Sequence, residues 1–329
     1  MKRRCLIVCG DEFLGRYLAD ELVAARIDVA VASEAAGAYR SAGVSHRYAL
    51  ELPSPRLHTI MTDFRPAVCI HIPGRETDAS VKADPSAARA AQIDPLVNVL
   101  EAVRGGRPRC HVVYVSSAAV YGRPTRLPVD ESQRLAPCSA DGFHKLAGEA
   151  IAEEYRAVHE LRLSIARLFS AYGPYERPHL FADLCRRAGD SRDHTLDIFG
   201  SGDDERDYIH VRDAAAGLAR IALRPRAAAT VPATADSRSH TAVDPPHVFN
   251  IGTGRAVNSA TVARQVAATF SPEMNVRLHG RHEASDVSRL RADISRLKAL
   301  GFVPKVSLED GLAEYIRWFQ AHRHVKIPA

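Results

Sequence analysis

The sequence predicts an α/β fold in which a doubly wound parallel sheet is followed by a smaller C-terminal cap domain. Over the first half of the chain, short continuous apolar runs alternate with amphipathic stretches. Continuous apolar strands separated by helices are typical of a parallel sheet that helices cover on both faces. After about residue 170 the alternation loosens. We therefore expect a sheet domain over 1–170 and a cap domain mainly over 171–329, with some chain returning to the sheet.

The order of the elements can be followed along the chain. The strands of the sheet are predicted by the runs "CLIVCG", "VAVAS", "AVCIHI", "HVVYVSS" and "LSIARLF". The helices between them are predicted by "RYLADELVAA", "DPLVNVLEAVR" and "HKLAGEAIAEEYRAV". The cap domain contributes "TLDIFG", "RDYIHVRDAAAGLARIAL", "HVFNIG" and the closing "LEDGLAEYIRWF". Residues 224–246 are poor in large apolar side chains and rich in Ala, Thr, Ser and Pro, which indicates a flexible surface insertion.

The composition argues against several classes of protein. The net charge of +5 is mild, and no basic run alternates with aromatic residues, so we expect an anionic small molecule as partner and no nucleic acid. No apolar segment is long enough to cross a membrane, so no membrane partner is expected. The six cysteines stand singly, without metal or disulfide spacing, which indicates a reducing, cytoplasmic location: Cys5, Cys9, Cys69, Cys110, Cys138 and Cys185.

Five motifs in a fixed order identify the family that the chain resembles. They are "YVSSAAVYG", "HKLAGE", "ARLFSAYGP", "RDYIHVRDAA" and "FNIGTG". Together they resemble the extended short-chain dehydrogenase/reductase superfamily, and within it the NAD-dependent epimerase/dehydratase group of nucleotide-sugar enzymes. The resemblance covers nearly the whole chain. It implies a Rossmann-type domain for NAD or NADP, a C-terminal substrate domain, and an active site in the crevice between them.

The resemblance also implies a catalytic Ser/Thr, Tyr and Lys. Ser117 and Lys145 fall on the Ser and Lys positions, but Asp141 stands where the family has its Tyr. A carboxylate titrates near about 4 and a phenol near about 10, so Asp141 cannot act as a neutral proton donor and would serve as a weak general base. Two alternatives stay open: Asp141 and Lys145 form only an exposed i,i+4 ion pair, and Ser117 only closes a turn. His144 is a second titratable candidate.

The cofactor loop departs from the family pattern as well. In "VCGDEFLG", Glu12 takes the place of the middle glycine, where backbone should approach the pyrophosphate. Ser33 stands where an acid would bind the adenosine ribose. A carboxylate about 4 Å from a phosphate costs up to about 4 kcal/mol, so we predict weak or absent NAD(P) binding. The alternative is a Glu12 side chain that swings away. The candidate cofactor residues are Gly10, Phe13, Leu14, Gly15, Ser33 and His71.

The substrate half follows the family more closely. Arg206 falls on an arginine that holds a substrate phosphate in the family, although it could instead form a surface ion pair with Asp203, Asp204 or Asp207. Ser170 replaces the usual Asn of the family. Glu283 stands where the family has a second phosphate arginine, and Arg281 and Arg289 are near enough in sequence to compensate. No His or Cys pattern has ligand spacing, so no metal is expected.

Three functions remain open on the sequence. The first is an epimerase/dehydratase-family enzyme that acts on a nucleotide-sugar or similar polar metabolite by an atypical route. The second is an ordinary NAD(P)-dependent epimerase or reductase in which Tyr172 or Tyr175 supplies the proton. The third is a catalytically silent member that binds a ligand or partner. We also expect a homodimer through the apolar stretches around 94–104 and 145–159.

Overall fold

The structure is a computed structural model. It describes residues 2–9, 12–34, 41–74, 78–176, 180–198, 200–225, 246–280 and 289–322, with the backbone alone for 9, 12 and 78–80. The predicted insertion at 224–246 lies almost wholly outside the described residues, as do Gly10, Arg281 and Glu283.

The described chain forms fourteen strands and ten helices. The strands are β1 (Arg4–Cys9), β2 (Asp28–Ser33), β3 (Val44–Ala49), β4 (Val68–Ile72), β5 (His111–Ser117), β6 (Leu163–Leu168), β7 (Ser170–Tyr172), β8 (Thr195–Ile198), β9 (Glu205–Arg206), β10 (Tyr208–His210), β11 (Val248–Ile251), β12 (Val257–Asn258), β13 (Asn275–Leu278) and β14 (Arg289–Leu290). The helices are α1 (Glu12–Ala24), α2 (Arg56–Phe64), α3 (Asp78–Ala83), α4 (Pro85–Gly106), α5 (Ala140–Ala157), α6 (Leu180–Asp190), α7 (Val211–Leu223), α8 (Ser259–Phe270), α9 (Ser295–Lys298) and α10 (Leu308–His322).

Seven of these strands form one parallel sheet in the order β11-β6-β5-β4-β1-β2-β3. The strands are apolar throughout because both faces are covered. Leu18 of α1 and Leu218 of α7 pack against one face, whereas Leu57 of α2 and Leu100 of α4 pack against the other. The predicted doubly wound fold is confirmed. The predicted strand "HVFNIG" is β11, which returns to the sheet beside β6.

The C-terminal lobe has its own apolar cluster. Phe181 of α6, Leu196 of β8, Val262 of α8 and Tyr315 of α10 belong to it, and all are buried. Short strand pairs, β10 with β7 and β13 with β8, connect these helices. The lobe therefore packs as a smaller layer at one end of the sheet, where it forms one wall of a cleft.

The stretch proposed for dimerisation is largely used inside the monomer. On α4, four apolar side chains are fully buried: Leu96, Val99, Leu100 and Val103. On α5, Tyr155 is buried, while Val158 is 68% exposed. Within the described residues, no helix combines the length and the apolar composition that a bilayer crossing requires.

Candidate active site

A cleft of about 490 Å³ opens between the carboxyl ends of the parallel strands and the C-terminal lobe. Crevices at this edge are where open α/β sheets bind ligands. Seven predicted site residues line it: Phe13, Leu14, Ser117, Asp141, Lys145, Ser170 and Arg206. The sequence-based candidates from both halves of the chain thus meet at one place.

Lys145 is held at the floor of this cleft. It is 7% exposed, and its Nζ donates a hydrogen bond to Oε1 of Gln92. The Gln92 amide cannot turn around, because its Nε2 donates to the carbonyl oxygen of Gly74 at 2.7 Å and a carbonyl only accepts. Gln92 therefore fixes the direction of the Lys145 side chain.

Asp141 stands one helical turn before Lys145. Its Oδ1 is 3.7 Å from Nζ of Lys145, and its side chain is 40% exposed. Ser139 caps α5 by accepting a hydrogen bond from the backbone N–H of Gly142 at 3.2 Å. The predicted i,i+4 ion pair is present, but the lysine is buried and both residues face the cleft, so the pair is not a simple surface pair.

Ser117 is at the end of β5, where the strand gives way to a 3₁₀ turn over Ala118–Tyr121. Its Oγ accepts a hydrogen bond from the backbone N–H of Ala119 at 3.1 Å, as the turn interpretation expects. The same side chain also lines the cleft. A structural bond and an accessible hydroxyl thus coexist at this position.

Beneath the cleft floor lies a buried polar network. Glu149 and Arg167 are paired through an Oε2 to NH2 distance of 2.8 Å, and Ser116 donates to Oε1 of Glu149 at 2.6 Å. NH1 of Arg167 donates to the Tyr121 hydroxyl, which in turn donates to Oδ1 of Asn250. Burial raises the pKa of Tyr121 to about 12, so this phenol stays protonated. The network ties α5 to β5, β6 and β11.

Of the candidate cofactor residues, Phe13 and Leu14 line the cleft, whereas Gly15, Ser33 and His71 are not among its lining residues. Gly15 is buried within α1. Ser33 ends β2, is 4% exposed, and its Oγ makes no hydrogen bond to any residue that the structure describes. His71 in β4 is 1% exposed, and burial, with the nearby Lys145 charge, lowers its pKa to about 3. The loop around Gly10 and the Glu12 side chain lie outside the described residues.

The substrate side is formed by β9 and β10. Arg206 and Tyr208 line the cleft, while Asp207 between them is fully buried. Asp207 accepts hydrogen bonds from the backbone N–H groups of Thr253 at 2.7 Å and Gly254 at 2.9 Å. Its carboxylate is therefore held by backbone N–H groups, and this fixes the directions in which Arg206 and Tyr208 point.

Arg289 is an exposed residue of β14, and the cleft-lining residue on that strand is its neighbour Leu290. Among the residues that the structure describes, no group of three His, Cys, Asp or Glu side chains could hold a metal ion.

The sequence interpretation did not predict two residues that line the cleft, Glu176 and Tyr208, or the hydrogen-bond partner of Lys145, Gln92. A signal existed for Gln92, which stands at helical spacing with the buried Leu96, Val99 and Leu100. A polar side chain on a buried helix face is expected to form a hydrogen bond with another buried group. Tyr208 could have been found from strand alternation, since it stands two residues after Arg206. No sequence signal pointed to Glu176.

Comparison with known proteins agrees with this architecture. A model of the NAD dependent epimerase/dehydratase family matches residues 5–252. The UDP-glucose 4-epimerase of Mycolicibacterium smegmatis is 28% identical over 96% of this chain and 98% of its own. The probable UDP-glucuronate 4-epimerase of Rhizobium meliloti is 27% identical over 77% of this chain and 74% of its own.

Solved structures show the same fold. The crystal structure of UDP-glucose 4-epimerase with UDP-glucose from Thermotoga maritima superposes with a TM-score of 0.81 at 21% identity, covering 98% of this chain and 100% of that chain. The Thermus thermophilus UDP-glucose 4-epimerase in complex with NAD gives 0.79 at 22% identity, over 96% and 99% of the two chains. Because the family match extends over more than half of its length, the chain belongs to the NAD dependent epimerase/dehydratase family.

Proposed function

We propose that this protein acts on a nucleotide-sugar, or a similar polar phosphorylated metabolite, by proton transfer at Asp141 and Lys145 without a tightly bound nicotinamide cofactor. The observation that carries the proposal is the buried Lys145, held by Gln92 and placed 3.7 Å from the Asp141 carboxylate in a cleft that also contains Arg206. The substrate class is supported by the relatives, which are named as UDP-glucose and UDP-glucuronate 4-epimerases.

The geometry supports a definite acid–base role for each residue. The Asp141 carboxylate takes a proton from a substrate hydroxyl, or from a carbon beside a carbonyl group, and returns it to the same atom. The Lys145 ammonium stabilises the negative charge that develops while the proton is away. Ser117 offers a hydroxyl to the reacting oxygen. Deprotonation and reprotonation at carbon exchanges that hydrogen with solvent and needs no hydride, and it inverts the stereocentre only where the proton returns to the opposite face of the planar intermediate.

The described residues fit a nicotinamide dinucleotide poorly. At the end of β2 a ribose diol would meet Ser33, whose hydroxyl is short and nearly fully buried, in place of a carboxylate. A phenol is missing four residues before Lys145. No step of the proposed reaction passes through a nicotinamide.

Titration calorimetry separates the cofactor question from the substrate question. We expect no saturable binding of NAD or NADP below the millimolar range, and Glu12→Gly should regain up to about 4 kcal/mol by removing a like charge from the phosphate approach. UDP-glucose or UDP-glucuronate should bind regardless. Tight nicotinamide binding by the wild-type protein would contradict the first half of the proposal, and failure of both nucleotide-sugars to bind would contradict the second.

Proton transfer is tested by deuterium uptake from D₂O into bound UDP-glucuronate, at the carbon beside its carboxylate, read by mass spectrometry. Asp141→Asn should slow the uptake by about 10²-fold or more, as expected for loss of a general base. The matched control is Asp183→Asn, which removes an exposed carboxylate that pairs with Arg186 on α6. Binding without any uptake in the wild type would favour a silent ligand-binding protein.

One observation favours the ordinary redox route as a second candidate. Tyr208 is a phenol that lines the cleft, whereas Tyr172 is fully buried and Tyr175 packs against Trp318, and neither lines the cleft. Burial raises the pKa of Tyr208 to about 12, which suits a hydrogen-bond donor better than a base. This route requires nicotinamide binding, so the same titration decides it.

A homodimer is part of the proposal. Since the apolar stripe of α4 is buried within the monomer, the contact would have to use the outer faces of α4 and α5, where Val158 is exposed. Light scattering at micromolar concentration tests this, and a monomeric mass would overturn it.

A further inference from the structure

A short turn after β7 contacts both lobes of the molecule. Residues 173–176, here named the 173–176 turn, follow the last residue of β7. The Tyr17 hydroxyl of α1 donates to the carbonyl oxygen of Pro174 at 3.2 Å. The guanidinium of Arg16 lies 4.1 Å from the centre of the Tyr175 ring, a distance typical of a cation–π contact. The turn is therefore attached to α1 at two points.

The same tyrosine also contacts the C-terminal helix. The ring centres of Tyr175 and Trp318 are 5.4 Å apart, and Trp318 stacks on His322 at 5.2 Å with an interplanar angle of 25°. Tyr175 thus lies between a cation of α1 and an aromatic pair of α10. α1 belongs to the sheet domain and α10 to the C-terminal lobe, so this side chain joins the two.

The backbone of Tyr175 adopts an uncommon conformation. Its φ is +70°, in the left-handed region that side chains other than glycine seldom adopt. Such residues persist only where their surroundings hold them, and they cluster at ligand clamps and switch regions. Here the β-turn itself supports the conformation, because Pro174 precedes Tyr175 and the backbone N–H of Glu176 donates to the carbonyl oxygen of Gly173 at 3.1 Å. The contacts with Arg16 and Trp318 fix the position of the ring.

Both ends of this arrangement reach the cleft. Glu176, directly after Tyr175, is 2% exposed and lines the cleft from the C-terminal lobe. Phe13 and Leu14, one turn before Arg16 and Tyr17 on α1, line it from the sheet domain. A shift of either wall must therefore act on the 173–176 turn.

We propose that the 173–176 turn is a latch that holds the two walls of the cleft together and couples ligand binding to α10. The latch holds the Tyr175 ring between Arg16 and Trp318. When a ligand draws the two walls closer, the contacts of Tyr175 with Arg16 and Trp318 shorten. When these contacts are lost, the 173–176 turn separates from α1 and Trp318 becomes more exposed to water. The ligand-coupled half of this inference rests on the proposed function, whereas the latch itself does not.

The latch is tested first without a ligand. Arg16→Gln removes the cation but keeps a side chain of similar length, and Tyr175→Leu removes the ring. Hydrogen exchange measured by mass spectrometry should become at least about fivefold faster in the 173–176 turn of both variants. Trp318 is the only tryptophan of the chain, so its emission reports this contact directly and should shift to the red. Arg104→Gln, which removes an exposed arginine paired with Glu101, is the control.

The Arg16→Gln outcome decides the latch even if Tyr175→Leu fails to fold, because Arg16 is a half-buried side chain of α1. Unchanged exchange and unchanged emission in Arg16→Gln would overturn the latch.

The second arm adds UDP, with binding measured independently by calorimetry. Bound UDP should slow exchange in the turn and change the emission of Trp318 in the wild type, and both responses should be lost in Arg16→Gln. UDP that binds without either response would overturn the coupling. If UDP does not bind, the proposed function fails, while the exchange results of the first arm still decide the latch.

Discussion

The two edges of the parallel sheet differ in how their polar side chains are satisfied. At the amino edge, His111 is fully buried, and its ring nitrogens contact the carbonyl oxygen of Ala222 at 3.2 Å and Oγ of Ser164 at 2.7 Å. At the carboxyl edge, Ser33 is nearly as buried, yet its Oγ has no hydrogen-bond partner within the described part of the chain. The amino edge is thus closed by internal hydrogen bonds, whereas the carboxyl edge borders the cleft.

The largest loss of stability is expected for a variant of the buried network that contains Glu149 and Arg167, beneath the cleft. Glu149→Ala leaves the buried Arg167 without its carboxylate, and removing one partner of a buried pair costs about 3 to 5 kcal/mol. Urea unfolding measures the loss. The control, Glu153→Ala, removes the partly exposed partner of Arg156, and such pairs contribute about 0 to 1 kcal/mol. Equal losses of unfolding free energy in both variants would mean that the buried pair of Glu149 and Arg167 contributes no more than a partly exposed pair.

The second prediction concerns the affinity for a nucleotide-sugar and not the stability of the fold. Arg206→Ala should weaken the binding of a nucleotide-sugar by about 2 to 5 kcal/mol if the guanidinium forms a desolvated hydrogen-bonded pair with a phosphate. Its stability should hardly change, because Asp207 keeps the strand in place through backbone N–H groups. Calorimetry and thermal unfolding on the same sample separate the two quantities. An unchanged affinity would move Arg206 out of the site.

Acid should destabilise the protein through histidines at both edges. Burial lowers the pKa of His71 and of His111 to about 3, from an ordinary value of 6.5. The unfolded chain therefore binds more protons between about pH 3 and pH 6.5, and the free energy of unfolding falls as the pH drops through that window. Each histidine contributes up to about 1.4 kcal/mol per pH unit. Urea midpoints at pH 7 and pH 5 measure the slope, which should decrease in His111→Gln; an unchanged slope would contradict the assignment.

The smallest effect on stability is expected at the centre of the proposed chemistry. Asp141→Asn removes a 40% exposed carboxylate, while Lys145 keeps its hydrogen bond to Gln92, so the free energy of unfolding should change by no more than about 1 kcal/mol. The same variant is the one that should lose deuterium uptake. A loss of stability as large as that of Glu149→Ala would mean that Asp141 is structural and that the two edges are not distinct after all.

Much of the sheet could be predicted because its signal is local. Runs such as "CLIVCG" and "HVVYVSS" are apolar without interruption, which only a strand covered on both faces requires. The meeting of Ser117, Lys145 and Arg206 in one cleft was predictable through the family motifs, which carry long-range information. The partner of Lys145 was not, since helical spacing places Gln92 on a buried face but does not say which residue it meets.

Asp207 is a second residue whose hydrogen-bond partners could not be predicted from the sequence. Beside Arg206 in sequence, it was one of three carboxylates that could have formed a surface ion pair with it. In the structure it is buried and bonded to the N–H groups of Thr253, Gly254 and Ala292. Strand alternation turns adjacent residues to opposite sides, so proximity in sequence is weak evidence for an ion pair within a strand.

The bonds of Asp207 also set an order of events during synthesis. Its carboxylate is bonded to residues 253, 254 and 292, which leave the ribosome long after residue 207 itself. The early strands of the sheet can pair with one another while the rest of the chain is still being made, because domains generally form from the N-terminal side. The cleft wall that carries Arg206 can therefore form only after residues 253, 254 and 292 have been synthesised. A ribosome-bound nascent chain that ends before residue 292 should therefore carry much of the sheet and still be unable to retain a ligand.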